Sequence, residues 1–260
     1  MESNKTVRWQ GRNVNKDALR NRIWTELETS GLGIAPIREA ISNFLGAEQA
    51  AQRLAEMPFW KSARVVKSNP DNPQIPVRLR ALQDGKLLYT PVPELVLDFP
   101  FLELDPVELQ KKGVSFEEAA TIKGAMQHGK RVQFTEMQPM EVLIVGSVAA
   151  TPAGGRTGKG GGFADLELGI FREVGTIAPN AVLLTTVHDI QVVSDEELPM
   201  QEHDSPLDWV ITPTRALQTN TTYSQPKGLV WDAIQPDQYR DIPFLTELAK
   251  KLQDKKKVAV

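Results

Sequence analysis

Glycine occupies positions 154, 155, 158, 160, 161 and 162, in the same short stretch as Arg156 and Lys159. This stretch follows a nearly continuous apolar run, Met140 to Val148, and precedes a helical pattern from Phe163 to Val174. Such a combination can bind an anion. Glycine lets backbone amides approach closely and adopt positive φ, the helix N-terminus adds partial positive charge, and the two cations add formal charge. The same composition also suits a flexible surface turn, so spacing alone leaves both readings open. The segment is not a Walker A loop, because Gly158-Lys159 is followed by Gly160 rather than Ser or Thr and position 153 is Ala. Nor does it match G-x-G-x-x-G, whose third glycine would fall at Phe163.

Other groups with chemical potential are sparser. Lys16 and Arg20 stand at i and i+4 in a helical pattern, where an isolated pair is more often a solvated surface feature. Asp165 falls in the first turn of the helix after the glycines, a position the helix dipole favours for a carboxylate without any ligand. His188-Asp189 and His203-Asp204 lack a second histidine at i+3 to i+5, which argues against a histidine metal site. His128, at a helix end, reads as a surface charge partner. The chain has no cysteine, so disulfides, zinc-thiolate sites and thiol nucleophiles are excluded. The five tryptophans, Trp9, Trp24, Trp60, Trp209 and Trp231, read as core and edge packing.

The elements that must position these groups alternate in type. Leu19, Ile23, Trp24 and Leu27 predict an amphipathic helix over Lys16 to Glu28, with Asn15 as N-cap. A second helix is expected over Ala47 to Glu56, stopped by Pro58, then strands at Ala63 to Lys67 and Lys86 to Thr90 flanking a helix from Pro76 to Asp84. Ser115 and Glu118 have capping-box spacing, predicting one helix to about Gln127. Met140 to Val148, Ala181 to Val187 and Trp209 to Thr212 read as strands, the first covered on both faces as in a parallel sheet. A last helix runs from Asp237 to about Lys256, broken near Pro243. This alternation predicts a layered α/β fold in one domain spanning 1–260, with flexible ends at 1–14 and 253–260.

Composition narrows the class. With 260 residues, 41% of them hydrophobic, the chain can bury a core unaided. No apolar stretch reaches membrane-spanning length, and Met1-Glu2-Ser3-Asn4-Lys5 lacks the apolar region of a signal peptide, so a soluble, cytoplasmic protein without a membrane role is expected. A net charge of −3 argues against general nucleic-acid binding. The basic cluster at Lys250, Lys251, Lys255, Lys256 and Lys257 reads as a solvated helix end. A monomer is the default expectation.

The run Arg156-Thr157-Gly158-Lys159-Gly160-Gly161-Gly162-Phe163-Ala164-Asp165 resembles the R-x-G-x-G-x-G-Y-Y-D signature of 5-formyltetrahydrofolate cyclo-ligases, also called methenyltetrahydrofolate synthetases. Phe163-Ala164 replaces the tyrosine pair, keeping one aromatic face and losing both hydroxyls. Lys16 and Arg20 are similar to the family's N-terminal K-x-x-x-R. Pro199, His203-Asp204 and Leu207 to Thr212 look like its closing P-x-x-x-x-D-x-x-x-D-x-[VL] segment. Gly146-Ser147-Val148-Ala149, Val187-His188-Asp189 and Thr212-Pro213-Thr214-Arg215 resemble the branch of methenyltetrahydrofolate synthetase domain-containing proteins, whose animal members carry an RNA-recognition domain not expected here.

The resemblance implies a three-layer α/β fold, a largely parallel sheet with helices on both faces, related to the NagB/RpiA/CoA-transferase-like folds. It also implies ATP- and Mg²⁺-dependent closure of a reduced folate, 5-formyltetrahydrofolate, to the 5,10-methenyl form. By residue match, Lys16, Arg20, Arg156, Thr157, Lys159, Phe163, Ala164 and the amides of Gly158, Gly160, Gly161 and Gly162 would hold ATP. Arg156 and Lys159 would act in catalysis, Asp71, Lys159 and Phe163 would face the folate, and Asp165 and Asp204 would hold Mg²⁺. The alternatives are another ATP-dependent reaction on this scaffold, or nucleotide binding without catalysis.

Overall fold

The structure is a computed structural model that describes residues 9–258, with side chains described through residue 250. Residues 1–8 and 259–260, part of the ends expected to be flexible, lie outside the described residues, as do the side chains of Lys251, Lys255, Lys256 and Lys257.

Helix α1 spans Val14–Thr29. Its N-cap is Asn13, not the expected Asn15, because the cap side chain must reach the amide three residues on, and Asn13 Oδ1 accepts from Lys16 N at 3.1 Å. Strands β1 (Gly33–Ile34) and β2 (Asn43–Phe44) form a short antiparallel ribbon. Helices α2 (Ala47–Glu56) and α3 (Pro58–Ser62) follow, separated by extended Met57 as Pro58 requires. Then come β3 (Val65–Ser68), α4 (Ile75–Gln83), β4 (Leu87–Pro91), β5 (Phe101–Leu104) and α5 (Pro106–Lys111).

The single helix expected after Ser115 is two helices, α6 (Phe116–Ala119) and α7 (Ile122–His128). Ser115 caps the first as its spacing predicts, but Thr121 caps the second by accepting from Gly124 N at 3.0 Å, and a cap residue is non-helical. The junction depends on Gly124, where a Cβ would lie 2.0 Å from the Glu118 carbonyl oxygen. Gly124→Ala is therefore expected to destabilise the fold by about 2–3 kcal/mol through backbone overpacking, read as a lower urea midpoint at unchanged slope. His128 Nε2 lies 2.9 Å from Glu118 Oε1, the surface partnership expected of it.

The chain continues through β6 (Lys130–Val132), β7 (Met140–Ile144), β8 (Ala149–Ala150), β9 (Arg156–Thr157), α8 (Phe163–Val174), β10 (Ile177–Thr186), β11 (Trp209–Ile211), β12 (Ala216–Gln218), α9 (Pro236–Asp241) and α10 (Pro243–Val258). One sheet has the order β12-β11-β10-β7-β3-β4-β5-β6. Its five central strands, β11, β10, β7, β3 and β4, are parallel, and the antiparallel strands lie at the edges.

Alternation along the strands shows that both faces are covered. Val66, Leu88, Leu102, Val142, Leu184 and Ile211 pack with α2, α4 and α7 residues such as Leu54, Val77 and Ala125. Their neighbours Val65, Tyr89, Phe101, Leu143, Leu183 and Val210 pack with Phe171 of α8 and Leu245 of α10. The architecture is thus a three-layer α/β fold. The expected strand at Met140 to Val148 stops at Ile144, where the chain leaves the C-terminal edge of the parallel strands and reaches Gly146. Open α/β sheets place their ligand crevices along that edge.

Candidate active site

The glycine-rich stretch divides into two parts. Gly154 and Gly155 close the hairpin between β8 and β9: Thr151 N donates to Gly155 O at 2.9 Å, and Gly154 has φ of 92°. A Cβ on Gly154 would meet Leu207 O at 2.5 Å, so this glycine serves a turn rather than a ligand. Gly158 to Gly162 form the second part, which lines a cleft. Gly162 caps α8 in the left-handed region at φ 73° with no side-chain bond, and the first helical bond is Leu166 N to Gly162 O. The amides of Phe163, Ala164 and Asp165 thus have no intrahelical acceptor, the arrangement that attracts anions to a helix start.

Helix α1 brings its charges to this loop by continuing its apolar stripe. Ile23, Trp24 and Leu27 pack in the core, and Arg20 and Lys16 extend the same face towards the cleft, both buried. Arg20 Nη1 donates to Thr157 Oγ1 at 2.8 Å, and its Nη2 pairs with Asp17. Lys16 Nζ lies 2.5 Å from Asp204 Oδ2, which also accepts from Gln201 N at 2.7 Å. Arg156, only 3% exposed, donates from Nη2 to Asp165 Oδ2 at 2.9 Å, while its Nε and Nη1 are buried with no acceptor among the described residues. Asp165 Oδ1 accepts at 2.9 Å from the amide of Ser205, the residue after Asp204, and both candidate metal carboxylates line the cleft.

All the predicted site residues therefore line a single cleft: Lys16 and Arg20, the run from Arg156 through Asp165, Asp71 and Asp204. Lys159 has no ion-pair partner among the described residues and lies 5.5 Å from the Trp9 ring, which makes an edge contact with Phe163 at 5.8 Å. Trp9 was expected to be packing, yet it stands against the loop. Trp24 and Trp60, 3% and 1% exposed, are core residues as expected.

Sequence reasoning missed several residues of the site. Arg12 Nη1 and Gln238 Nε2 donate to Gly161 O at 3.1 and 2.7 Å, and Arg12 pairs with Asp237. Beneath the cleft Lys67 of β3 and Glu167 of α8 form an ion pair, 0% and 3% exposed. Burial pushes the Lys67 ammonium down and the Glu167 carboxyl up, each opposed by the charge of the other. A charge within the apolar run Val65-Val66-Lys67 was the available signal. Asn69 joins the lining and Arg78 braces it from behind.

Burial also pushes the Asp71 carboxyl above the ordinary carboxylate range, against the pull of Lys159, Arg78 and Lys67. A carboxyl raised on folding carries no penalty below its ordinary value of about 3.9. The penalty grows as pH rises towards the folded-state value and is constant above it. Asp71→Asn is thus expected to raise Tm at neutral pH, with the gain shrinking as pH falls towards about 4. Thermal unfolding across that range reads the effect, and a gain independent of pH would contradict the burial assignment.

Residues 12–213 match the model of the 5-formyltetrahydrofolate cyclo-ligase family. The chain is 32% identical over 237 residues to the methenyltetrahydrofolate synthase domain-containing protein of Bos taurus, covering 90% of this chain and 62% of that one. The Homo sapiens protein of the same description is 32% identical over 242 residues, with coverage of 92% and 63%. The chain thus spans about three fifths of the length of these curated relatives. Among solved structures it is similar to the 5,10-methenyltetrahydrofolate synthetase of Aquifex aeolicus, with a TM-score of 0.49 at 17% identity over 80% of this chain and 95% of that one. The Mycoplasma pneumoniae synthetase gives a TM-score of 0.44 at 12% identity, over 76% and 98%. With the family model spanning most of its length and the signature residues gathered around one cleft, this chain belongs to the 5-formyltetrahydrofolate cyclo-ligase family.

Proposed function

We propose that this chain converts 5-formyltetrahydrofolate to 5,10-methenyltetrahydrofolate with ATP and Mg²⁺. The observation that carries the reading is Arg156, a buried guanidinium anchored to Asp165 through one nitrogen while Nε and Nη1 lack acceptors. Buried donors of a charged group are costly to leave unmade, and a phosphate oxygen beside the glycine amides would satisfy them.

In the proposed reaction the formyl oxygen attacks the γ-phosphorus and ADP leaves. N10 then attacks the activated carbon, its proton is released, and phosphate departs with the former formyl oxygen. No covalent nucleophile is required of the protein, so its part is positioning and charge neutralisation. Arg156 and the Gly158 to Gly162 amides would hold phosphate oxygens, and Lys159 would follow the transferring group. Lys16 and Arg20, fixed by α1, would set the far end of the phosphate chain. The Phe163 ring would flank the folate, whose pyrimidinone edge would meet Asp71.

The donor set suits Mg²⁺. Asp165 and Asp204 offer hard oxygens along one cleft, and the described residues hold no group of three or more His, Asp or Glu that could cage a metal alone. Such a site would share the ion with phosphate oxygens and water, as Mg²⁺ prefers, and the ion would neutralise developing phosphate charge. That both carboxylates line the same cleft favours catalysis over a nucleotide-binding relic.

The test mixes purified protein with ATP, Mg²⁺ and 5-formyltetrahydrofolate and follows the absorbance of the methenyl product. Turnover is expected. Tight ATP binding without turnover at any folate concentration would remove the cyclo-ligase reading and leave an ATP-dependent scaffold with another role.

A further inference from the structure

The Lys67–Glu167 pair is almost wholly buried and does not line the cleft, so its presence between a central strand and α8 needs a reason. Stability is a weak one, because a buried ion pair often does no better than apolar residues of similar volume. What the pair touches towards the cleft is Asn69, whose Oδ1 accepts from Lys67 Nζ at 2.5 Å. An ammonium only donates, so the carboxamide oxygen must face Lys67 and the amide cannot be flipped. The Asn69 NH₂ group therefore points away from the pair, has no acceptor among the described residues, and belongs to a side chain lining the cleft.

The backbone beneath is equally fixed. Asn69 N donates to Ile144 O at 3.1 Å, tying the turn to β7. The fully buried Arg78 donates from one nitrogen, Nη1, to both Asn69 O and Asp71 O, and from Nε to Ala120 O at 2.7 Å. Asn69 and Asp71 thus project into the cleft from one braced turn. Across from them Gly146 leaves the space open, since a Cβ there would lie 3.0 Å from Asp71 Oδ2.

We infer that Asn69 is a substrate-recognition residue, with Lys67 and Glu167 as positioning residues that aim its NH₂ group into the cleft beside the Asp71 carboxylate. A fixed donor next to a fixed acceptor fits a heterocycle edge with a carbonyl oxygen adjacent to N–H groups. The pyrimidinone edge of a reduced pterin has that order. The inference rests on the reading that a reduced folate occupies this cleft, and it specifies which group reads the carbonyl.

Asn69→Asp isolates the donor, because a carboxylate still accepts from Lys67 while presenting an acceptor to the ligand. The affinity of 5-formyltetrahydrofolate, measured by titration calorimetry with a non-hydrolysable ATP analogue and Mg²⁺, is expected to fall about tenfold or more. Affinity for the ATP analogue itself should stay within about twofold and Tm should stay near the wild-type value, well below the change the lost donor makes. The double variant Lys67→Met, Glu167→Met frees the amide to rotate, and its folate affinity should also fall. Folate binding at wild-type strength in Asn69→Asp would overturn the inference and leave the proposed function standing. So would parallel losses of folate affinity, nucleotide affinity and Tm, which mark a merely structural residue. A wild-type protein that binds the ATP analogue but no 5-formyltetrahydrofolate would sink the folate reading and this inference together.

Discussion

Replacing Lys159 by methionine is expected to lower kcat/KM of the proposed cyclo-ligase reaction by about 10²–10³, the loss typical when one preorganised charge donor is removed from a transition state. The other cations around the loop are committed: Lys16 to Asp204, Arg20 to Asp17, Arg156 to Asp165 and Arg12 to Asp237. Among the described residues Lys159 has no ion-pair carboxylate within contact distance; it lies over the face of Trp9 and acts on Asp71 only through space. A cation on an aromatic face can leave it at a cost of about 1 kcal/mol, so it is the charge best able to travel with a moving phosphoryl group. Most of the loss should appear in kcat, because in the proposed complex the phosphate chain would keep its contacts to Arg156 and the amides. Lys159→Arg should recover part of the rate through its charge. Steady-state kinetics with ATP and folate varied in turn distinguish these outcomes, and a Lys159→Met enzyme within about threefold of wild type would contradict the assignment, given the donor losses seen elsewhere.

Lys67→Met should be the most damaging single substitution for stability, by about 3–5 kcal/mol, because it leaves Glu167 buried without its cation. The pH dependence has a definite sign. Without Lys67 the Glu167 carboxyl is pushed further above its ordinary value, so the deficit is fully present at high pH. It should shrink as pH falls towards about 4.3, where the unfolded chain also takes up the proton. Adding Glu167→Met should recover most of the loss, since no buried charge then remains unpaired. Urea unfolding of both variants near neutral and mildly acidic pH reads all three effects. A single variant as stable as wild type would mean that water or another cation reaches Glu167.

The glycine loop and its cations were legible in the sequence because they sit side by side, and helix α8 begins and ends where Phe163 and Val174 predict. The two-faced sheet was equally readable from apolar runs such as Met140 to Val148, of which Met140 to Ile144 forms the strand. Legibility failed where a local rule had two solutions. Asn13 and Asn15 are both good caps, and only the amide of Lys16 decides between them. The break at Thr121 depends on the close approach of Gly124 to Glu118, which no periodicity encodes. The Lys67–Glu167 pair was hidden for a different reason: its members lie on a strand and a helix far apart in the chain, so the charge at the end of Val65-Val66-Lys67 could be noticed but not its partner. Asn69 becomes meaningful only once that pair fixes its amide.

The Gly161 carbonyl receives Arg12 from the segment before α1 and Gln238 from α9, while Arg12 also holds Asp237. During synthesis on a ribosome, the central sheet could therefore be complete while the rim of the loop still lacked its last donor. The cleft would acquire its final shape only after α9 had emerged, so a nascent chain would pass through a stage that is folded at its centre but not yet competent. The same staple couples the segment before α1 to α9 mechanically. Tension applied between residues near 12 and 238 would be felt first at the glycine loop, where both donors are attached.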